Sequence, residues 1–249
     1  MAAHTYVVTG ASRGLGKAIC IQLAKSGIRV VLLARRSENL NSVLNLVKIN
    51  SPESFAVTCD LSSATDIDEA IAKICSKCQR IDGIIHNAGV INPVIPASMV
   101  ENEQWNLNLQ VNLLSVQQLT KGLIPLMGGD AQSRITTISS GASLRPVQSW
   151  SAYCVAKAGL DMWTRCIASE LEEKKISAIA IAPGIVDTGM QEDIRASNPQ
   201  NFPDHSNFVS YHSEGMLVDA DEVASKLIPL ITNHDMSQTG ERFDVRELD

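Results

Sequence analysis

The stretch Thr9-Gly10-Ala11-Ser12-Arg13-Gly14-Leu15-Gly16 lies between two different hydrophobic patterns. The apolar run at residues 6–8 precedes it and is typical of a buried strand, whereas Leu15, Ile19 and Leu23 follow with helical spacing. The sequence therefore predicts a strand, a glycine-rich loop and a helix in succession.

The glycines of this loop suit a phosphate group. Gly10 and Gly14 permit a tight turn and a close approach of backbone N–H groups, while the helix N-terminus contributes partial positive charge. Gly16 lets the helix pack closely against the strand. Taken alone, the same glycines would serve equally well in an ordinary turn, so this interpretation depends on the rest of the chain.

Strand-like and helical patterns alternate through the rest of the sequence. This alternation predicts an α/β fold, namely a Rossmann-type doubly wound parallel sheet of about seven strands with helices on both faces. No repeat or proline-rich linker divides the chain, so we expect a single domain over residues 1–249. One irregular stretch, 198–213, suits either a substrate lid or an ordinary surface loop. The predicted strands are 6–8, 30–33, 55–58, 84–85, 135–138, 179–181 and 242–245.

Composition narrows the classes of function. A net charge of −6 and 45% hydrophobic residues in a chain of 249 fit a globular domain and argue against nucleic acid or an anionic membrane surface as the partner. No apolar run approaches the roughly 20 residues of a membrane span, and the early first strand makes a secretory signal unexpected. We expect free thiols, and Cys75-Ser76-Lys77-Cys78 has no second ligand pair nearby, so no metal site is predicted. A cytoplasmic enzyme is the expectation.

Residues that follow the strands are the next candidates, because ligands of doubly wound sheets lie at the carboxyl ends of the strands. Arg35 and Arg36 follow the second strand, where an NAD-binding chain usually carries an acid that holds the ribose 2′-hydroxyl. Together with Arg13, these guanidiniums could instead bond a 2′-phosphate, so NADP(H) is predicted as the cofactor. Two solvated arginines are the alternative. After the third strand, the carboxylate in Asp60-Leu61 could accept a bond from the adenine amine.

Four polar residues suit proton transfer to a carbonyl. Asn112 lies in an otherwise apolar helical pattern, where a buried amide must hold a water or a backbone group. Ser140 closes the fifth strand, and Tyr153 and Lys157 lie one helical turn apart on the same face. Lowering the pKa of a tyrosine from ~10 to about 7 takes roughly 4 kcal/mol, which one cation about 4 Å away supplies at an effective dielectric near 20. We therefore expect Lys157 to lower the pKa of Tyr153, which donates a proton, while Ser140 bonds the substrate oxygen.

Together these motifs resemble the short-chain dehydrogenases/reductases over the whole chain. The family's T-G-x-x-x-G-x-G matches residues 9–16, its N-N-A-G appears as His86-Asn87-Ala88-Gly89, and its P-G turn appears as Pro183-Gly184. Its Asn-Ser-Tyr-Lys tetrad falls on Asn112, Ser140, Tyr153 and Lys157. His86 departs from the usual Asn and alters a local strand contact. The resemblance implies cofactor contacts at Gly10, Ser12, Arg13, Gly14, Leu15, Gly16, Arg35, Arg36, Asp60, Leu61, Asn87, Ala88, Gly89, Tyr153, Lys157, Pro183, Gly184, Val186, Thr188, Met190 and Gln191.

Within this family, the second half of the chain is most similar to sepiapterin reductase and the related microbial benzil (diketone) reductases. The segments that carry the similarity are Trp150, 153–154, 157–158, 161–162, 182–191, 215–219 and 240–244. The resemblance implies that Asp244 anchors a pterin, although a carboxylate there would also suit a strand cap. It also implies a homodimer through helices over 107–123 and 153–171, and a substrate site at Ser140, Gly141, Tyr153, Gly184 and Asp244.

The resulting hypothesis is an NADPH-dependent carbonyl reductase that transfers hydride to a ketone or vicinal diketone, either a sepiapterin-like pterin or a benzil-like compound. One alternative is an alcohol dehydrogenase of the same family that works in the oxidative direction. Another is a catalytically idle NADP-binding sensor or scaffold, because fold does not dictate function. A sugar-nucleotide epimerase shares the Tyr and Lys but needs a larger C-terminal substrate domain.

Overall fold

A parallel sheet with helices on both faces organises the chain. The computed structural model describes residues 4–35 and 37–248, in which seven strands run in the order β3-β2-β1-β4-β5-β6-β7. All six strand pairings are parallel, which confirms the predicted fold class. The strands are β1 (Thr5–Thr9), β2 (Arg29–Ala34), β3 (Phe55–Thr58), β4 (Gly83–His86), β5 (Ser133–Ile138), β6 (Ile176–Ala182) and β7 (Arg242–Asp244). The helices are α1 (Gly14–Lys25), α2 (Glu38–Lys48), α3 (Ala64–Lys77), α4 (Asn102–Leu109), α5 (Ser115–Leu123), α6 (Ser151–Glu170), α7 (Gly189–Arg195), α8 (His205–Ser213) and α9 (Ala220–Asn233).

The strands bury both faces, as parallel strands covered by helices must. On one face, Val8 and neighbouring side chains of the same orientation pack against α1, α2 and α9. On the other, Val7 and its equivalents pack against α3, α5 and α6. Because successive side chains of a strand point to opposite faces, one run of apolar residues supplies both hydrophobic cores.

The strand order reverses between β1 and β4, and this places the loops that follow them side by side. The Thr9 hydroxyl accepts hydrogen bonds from the backbone N–H groups of Asn87 and Ala88, both at 3.0 Å. In return, the Asn87 side-chain amide donates to the Thr9 carbonyl at 2.9 Å. The glycine-rich loop is therefore fastened to the loop after β4.

The helix that carries Asn112 is interrupted by a π-helical turn at Gln110–Leu114, which joins α4 to α5. Such turns are frequent at functional sites. Asn112 accepts from the backbone N–H of Val90 at 3.0 Å and donates to its carbonyl at 2.9 Å. It also donates to the Asn108 side chain at 2.7 Å, and Asn108 in turn donates to the Val90, Ile91 and Asn92 carbonyls. The buried amide of Asn112 therefore holds a backbone group, that of Val90, as the sequence predicts.

Two details of the predicted organisation are wrong. Ser140 does not close the fifth strand, because β5 ends at Ile138 and Ser140 opens a 3₁₀ turn instead. The stretch 198–213 is not irregular throughout, since α8 occupies its second half. Two prolines and several polar residues obscured that helix, on which Phe208 is partly buried against the cluster around Trp150 and Phe202. Over the described part of the chain, each helix is too short or too polar to traverse a lipid bilayer.

We predict that Asn112→Ala lowers the free energy of unfolding by about 2–3 kcal/mol, because it leaves the Val90 N–H and Asn108 Oδ1 without hydrogen-bond partners in the interior. Urea denaturation followed by circular dichroism measures this change. Asn106→Ala, at an exposed position of α4, is the matched control and should change stability by less than about 0.5 kcal/mol. Equal losses in the two variants would contradict the assigned role of Asn112.

Candidate active site

The glycine-rich loop forms a cradle at the N-terminus of α1. Gly10 and Gly14 have positive φ angles of 66° and 53°, which side-chain-bearing residues rarely adopt. A Cβ on Gly16 would lie 2.3 Å from the Gly10 carbonyl oxygen and 2.4 Å from the Asn87 amide nitrogen, so only glycine fits. The α1 N-cap, Arg13, makes no side-chain cap hydrogen bond, and the first turn carries no acid. The backbone N–H groups at the N-terminus of α1 and the helix dipole therefore suit an anion.

The remaining residues of this loop and of 183–191 close around the same place. Ser12 is half-buried and Leu15 is buried. A Cβ on Gly14 would meet the Thr188 methyl at 3.0 Å, and one on Gly189 would meet the Arg13 guanidinium at 3.0 Å. The segment after β6 thus packs on the glycine-rich loop. A cofactor held by this loop would therefore lie within reach of residues 183–191, which are predicted to contact it.

Arg35 and Asp60 lie at the outer end of this edge. Arg35 is exposed after β2, and its charge helps to lower the pKa of Asp60. The larger causes are the Ser62 backbone N–H and hydroxyl, which donate to Asp60 Oδ1 at 2.9 and 2.7 Å. Leu61 packs partly buried beside them, while Arg36 lies outside the described residues.

The four predicted catalytic residues do come together. Lys157 is buried, and its Nζ donates to the Ile138 carbonyl at 2.8 Å and lies 5.6 Å from the centre of the Tyr153 ring. A Cβ on Gly89 would lie 2.9 Å from Asn112 Oδ1 and 3.7 Å from Lys157 Nζ. Gly89 therefore marks the point at which the tetrad and the loop after β4 converge. Ser140, held by its bond from Ala142 N–H at 3.1 Å, lies at the Tyr153 end of this group.

The expectation that the pKa of Tyr153 is lowered is wrong for the protein by itself. Burial raises the pKa of Tyr153 to about 12, against an opposing effect of the Ser140 hydroxyl. Burial likewise lowers the pKa of Lys157 to about 8, with Asp161 opposing it. Loss of hydration destabilises the Tyr153 phenolate and the Lys157 ammonium by more than their mutual attraction stabilises them at the observed separation. At neutral pH Tyr153 consequently holds its proton and Lys157 remains mostly charged, which suits a proton donor beside a cation.

An aromatic wall flanks Tyr153 and was only partly foreseen from the sequence. It consists of Trp150, Phe202, Phe208 and Tyr211, with Trp150 lying 5.7 Å from Tyr153, 5.5 Å from Phe202 and 5.3 Å from Phe208 between ring centres. Ser149 donates to the Asn201 carbonyl and so ties the loop before α6 to the segment that carries Phe202. The sequence feature that pointed to this wall was the presence of aromatic residues in 198–213. Their packing on Trp150 depends on the tertiary fold.

The segment after β6 reaches the reacting end of the site. Gly184 has a positive φ of 75°, and Val186 forms a bridge with Val218. Met190 Sδ lies 3.9 Å from the Tyr153 hydroxyl. Gln191 is buried, and its Oε1 accepts no hydrogen bond from the residues the structure describes. A buried amide oxygen of this kind is a candidate ligand contact. Gly141, beside Ser140, is exposed, and a Cβ on this residue would meet open space.

Asp244 lies at the carboxyl end of β7, opposite Ala182 of β6. Its carboxylate is buried and binds Arg246 through two guanidinium nitrogens at 2.8 and 2.6 Å. Arg246 holds the pKa of Asp244 below its usual range. The predicted pterin anchor is therefore at the correct edge of the sheet, but its oxygens already have a partner within the chain.

His86, the departure from the family motif, is a packed core residue. Its Nε2 lies 2.8 Å from the Thr120 hydroxyl, and its ring meets Trp163 edge-on at 6.1 Å. Burial lowers the pKa of His86 to about 3, so the ring is neutral. Across 4–35 and 37–248, no three His, Cys, Asp or Glu side chains gather in a way that could hold a metal ion.

Sequence reasoning missed a pair of charged residues behind Ser140. Arg242 of β7 donates to Asp161 of α6 at 3.2 Å and to the Ser140 carbonyl at 3.2 Å. The sequence predicts a helix around Asp161 and a strand at Arg242 but assigns neither side chain a role. Their meeting depends on the β6–β7 register, which no local pattern encodes.

Comparisons with known proteins agree with this geometry. Residues 4–199 match the family of short chain dehydrogenases. The chain is 33% identical over 239 residues to benzil reductase ((S)-benzoin forming) of Bacillus cereus, with 93% of this chain and 95% of that protein covered. The corresponding protein of Bacillus subtilis is 31% identical, with 97% and 98% covered. Among solved structures, the KRED1-Pglu enzyme superposes with a TM-score of 0.86 at 33% identity, covering 96% of this chain and 100% of that one.

The matched residues include the glycine-rich loop and all four members of the tetrad. The chain therefore belongs to the short-chain dehydrogenase/reductase family and is an oxidoreductase that acts on CH–OH or C=O groups.

Proposed function

We propose that the protein is an NADPH-dependent reductase of ketones and vicinal diketones that carry aryl groups. The observation that carries this proposal is a buried tyrosine that keeps its proton at neutral pH, placed between a buried lysine and an aromatic wall. The similarity to two benzil reductases supports a flat, apolar dicarbonyl as substrate. Three stacked or tilted aromatic rings favour such a compound over a sugar or an acid.

The residues present fit a dinucleotide cofactor. The cradle around Gly16 admits no Cβ, the N-terminus of α1 has no side-chain cap, and Gln191 Oε1 has no partner among the described residues. The glycine-rich loop would hold the pyrophosphate, and Lys157 would hold the nicotinamide ribose. When bound, NADPH supplies the hydride.

The chain's own residues supply the remaining chemistry. Ser140 bonds the carbonyl oxygen of the substrate, and Tyr153 donates its phenolic proton to that oxygen as negative charge develops. Lys157 stabilises the phenolate that results, because its ammonium is the buried cation nearest to the ring. Asn112 fixes the backbone at Val90 beside Gly89 and thereby keeps this corner of the site in place. The aromatic wall excludes water from the reacting group.

The reductive direction rests on the NADP preference and on the protonated state of Tyr153. Alcohol oxidation would require the phenolate as a base, and burial makes this ion costly in the free protein. A second candidate substrate, a sepiapterin-like pterin, is favoured by one observation, the buried Asp244 at the same edge of the sheet.

We also propose a homodimer. Leu107 of α4 and Leu114 of the π-helical turn are each about half exposed, as are Val155 and Met162, which lie two helical turns apart on α6. Adjacent helices with exposed apolar residues at this spacing favour a four-helix contact between two copies.

For the dimer, we predict that sedimentation velocity gives twice the chain mass of 26.9 kDa, and that Met162→Glu shifts the protein toward monomer, since it buries a charge in the contact. Met99→Glu, at an equally exposed methionine outside these helices, is the control and should leave the dimer intact. A monomeric wild type would contradict the proposal.

For the cofactor, we predict that Arg35→Gln raises KM for NADPH by about 10-fold to 100-fold and leaves KM for NADH nearly unchanged, because a charge-assisted bond to the 2′-phosphate is lost. Steady-state kinetics with each cofactor measures the ratio. Arg165→Gln, an exposed arginine on α6, serves as the control. An equal loss with both cofactors would show that Arg35 does not recognise the 2′-phosphate.

For the reaction, we predict that Tyr153→Phe lowers kcat for benzil reduction by about 10²-fold to 10⁴-fold, since the proton donor is removed. The rate of NADPH oxidation measures this, and Tyr211→Phe, which keeps the ring of the aromatic wall, is the control. Normal turnover in Tyr153→Phe would refute the role of Tyr153 as the proton donor. Absence of turnover in the wild type across a ketone panel would favour the sensor or scaffold alternative.

The same assay with Asp244→Asn separates the two substrate candidates. We expect benzil turnover to be indifferent to this change, and Phe208→Ala to raise KM for benzil by about 10-fold through lost ring contact. Sepiapterin turnover that is abolished by Asp244→Asn would assign the pterin instead.

A further inference from the structure

An ion pair lies directly behind the catalytic residues. Asp161 follows Lys157 by four residues on α6, which places both side chains on one face of the helix. Asp161 Oδ2 accepts from Arg242 Nε at 3.2 Å, and the two side chains are only 15% and 21% exposed. A pair this shielded from water acts more strongly on its neighbours than a surface pair does.

Arg242 also binds the backbone of Ser140. Its Nη2 donates to the Ser140 carbonyl at 3.2 Å, while Nε remains on Asp161. The planar guanidinium therefore joins three elements: β7, α6 and the turn that follows β5. Because the Ser140 hydroxyl moves with its backbone, this contact fixes the position of the group that bonds the substrate oxygen.

We infer that Asp161 and Arg242 form a positioning pair for this active site: Arg242 clamps the Ser140 backbone, and Asp161 is the carboxylate that balances the Lys157 ammonium. The inference rests on the proposed function, in which both Ser140 and Lys157 act. Neither Asp161 nor Arg242 touches the reacting atoms.

The charges around Lys157 agree with this assignment. Burial lowers the pKa of Lys157, and Asp161 is the group that opposes the decrease. Asp161 Oδ1 is buried and accepts no hydrogen bond from the described residues, so its charge is only half paired. Tyr153 faces Lys157 in its neutral form. Asp244 pairs with Arg246, which lowers the pKa of Asp244, and the charge of Arg242 adds to this decrease.

The two members of the pair have opposite effects on Lys157, and this makes the inference testable. Asp161→Asn removes the balancing negative charge, so the midpoint of Lys157 titration should move down by about one pH unit. Arg242→Gln leaves Asp161 without its partner, so the Lys157 midpoint should move up by a similar amount. A purely structural role would move both midpoints in the same direction or not at all.

The first measurement is a ¹³C NMR titration of the lysine Cε signals in the wild type, Asp161→Asn and Arg242→Gln. Lys157 is assigned by the signal that Lys157→Met lacks, and circular dichroism confirms that each variant is folded. Glu222→Gln, which breaks the exposed Glu222–Lys226 pair on α9, is the matched control and should not move the Lys157 midpoint. This titration needs neither substrate nor turnover, so its result stands even if the proposed reaction fails.

The second measurement tests the clamp on Ser140. Arg242→Lys keeps the positive charge but cannot bond Asp161 and the Ser140 carbonyl with one planar group. We expect kcat for benzil to fall about 10-fold in Arg242→Lys with KM and the alkaline limb of the pH profile unchanged. The alkaline limb should move down in Asp161→Asn and up in Arg242→Gln, following the NMR midpoints.

Opposite displacements of the Lys157 midpoint, together with the loss of kcat in Arg242→Lys, would establish the pair. Unchanged or parallel midpoints would overturn the role of Asp161, and wild-type kcat in Arg242→Lys would overturn the clamp. A wild type that reduces no ketone would refute the proposed function, while the titration would still decide the electrostatic half of the inference.

Discussion

The bonds between Thr9 and the loop after β4 are the constraint on which the rest of the site depends. One threonine hydroxyl accepts from two consecutive backbone N–H groups, and the Asn87 amide returns a bond to the Thr9 carbonyl. These contacts fasten the glycine-rich loop to the strand at which the sheet order reverses. The absence of a side chain at Gly16 is required by the same contact, because a Cβ there would strike the Asn87 amide. Gly89, two residues further on, then meets Asn112 and Lys157.

Patterns local in sequence were sufficient to predict the sheet and the placement of Tyr153 and Lys157 on one helix face. Each buried strand is a run of apolar residues, and spacing on a helix brings Tyr153 and Lys157 to one face, so no tertiary information was needed for either. Helix α8 was missed because prolines and polar residues surround its few apolar positions, of which Phe208 packs on the cluster around Trp150 and Phe202. The pairs Asp161–Arg242 and Asp244–Arg246 differ in kind: the first joins residues 81 positions apart and depends on sheet register, while the second is local but competes with the role predicted for Asp244.

The error over the pKa of Tyr153 has a single physical cause. The sequence argument counted the attraction between phenolate and ammonium but could not count the burial of both groups. Burial penalises each charged form, so the pKa of Tyr153 rises to about 12 and that of Lys157 falls to about 8. For a reductase this direction is favourable, since the tyrosine must arrive at the carbonyl with its proton in place. Trp150, whose ring centre lies 5.7 Å from that of Tyr153, contributes to the burial that raises this pKa.

The burial of Lys157 beside Tyr153 creates a further requirement, because an uncompensated ammonium in the interior is costly. Asp161 supplies the compensation from the next turn of the helix, but a buried carboxylate needs a partner of its own. Arg242 fills that role, and its remaining nitrogen holds Ser140. Asp244, two residues further along the chain, pairs with Arg246. The Asp244 carboxylate is buried, whereas the Arg246 side chain is 70% exposed to water. Arg242 and Asp244 of β7, with Arg246 in the turn that follows, therefore form a series of alternating charges that extends from the surroundings of Lys157 to solvent.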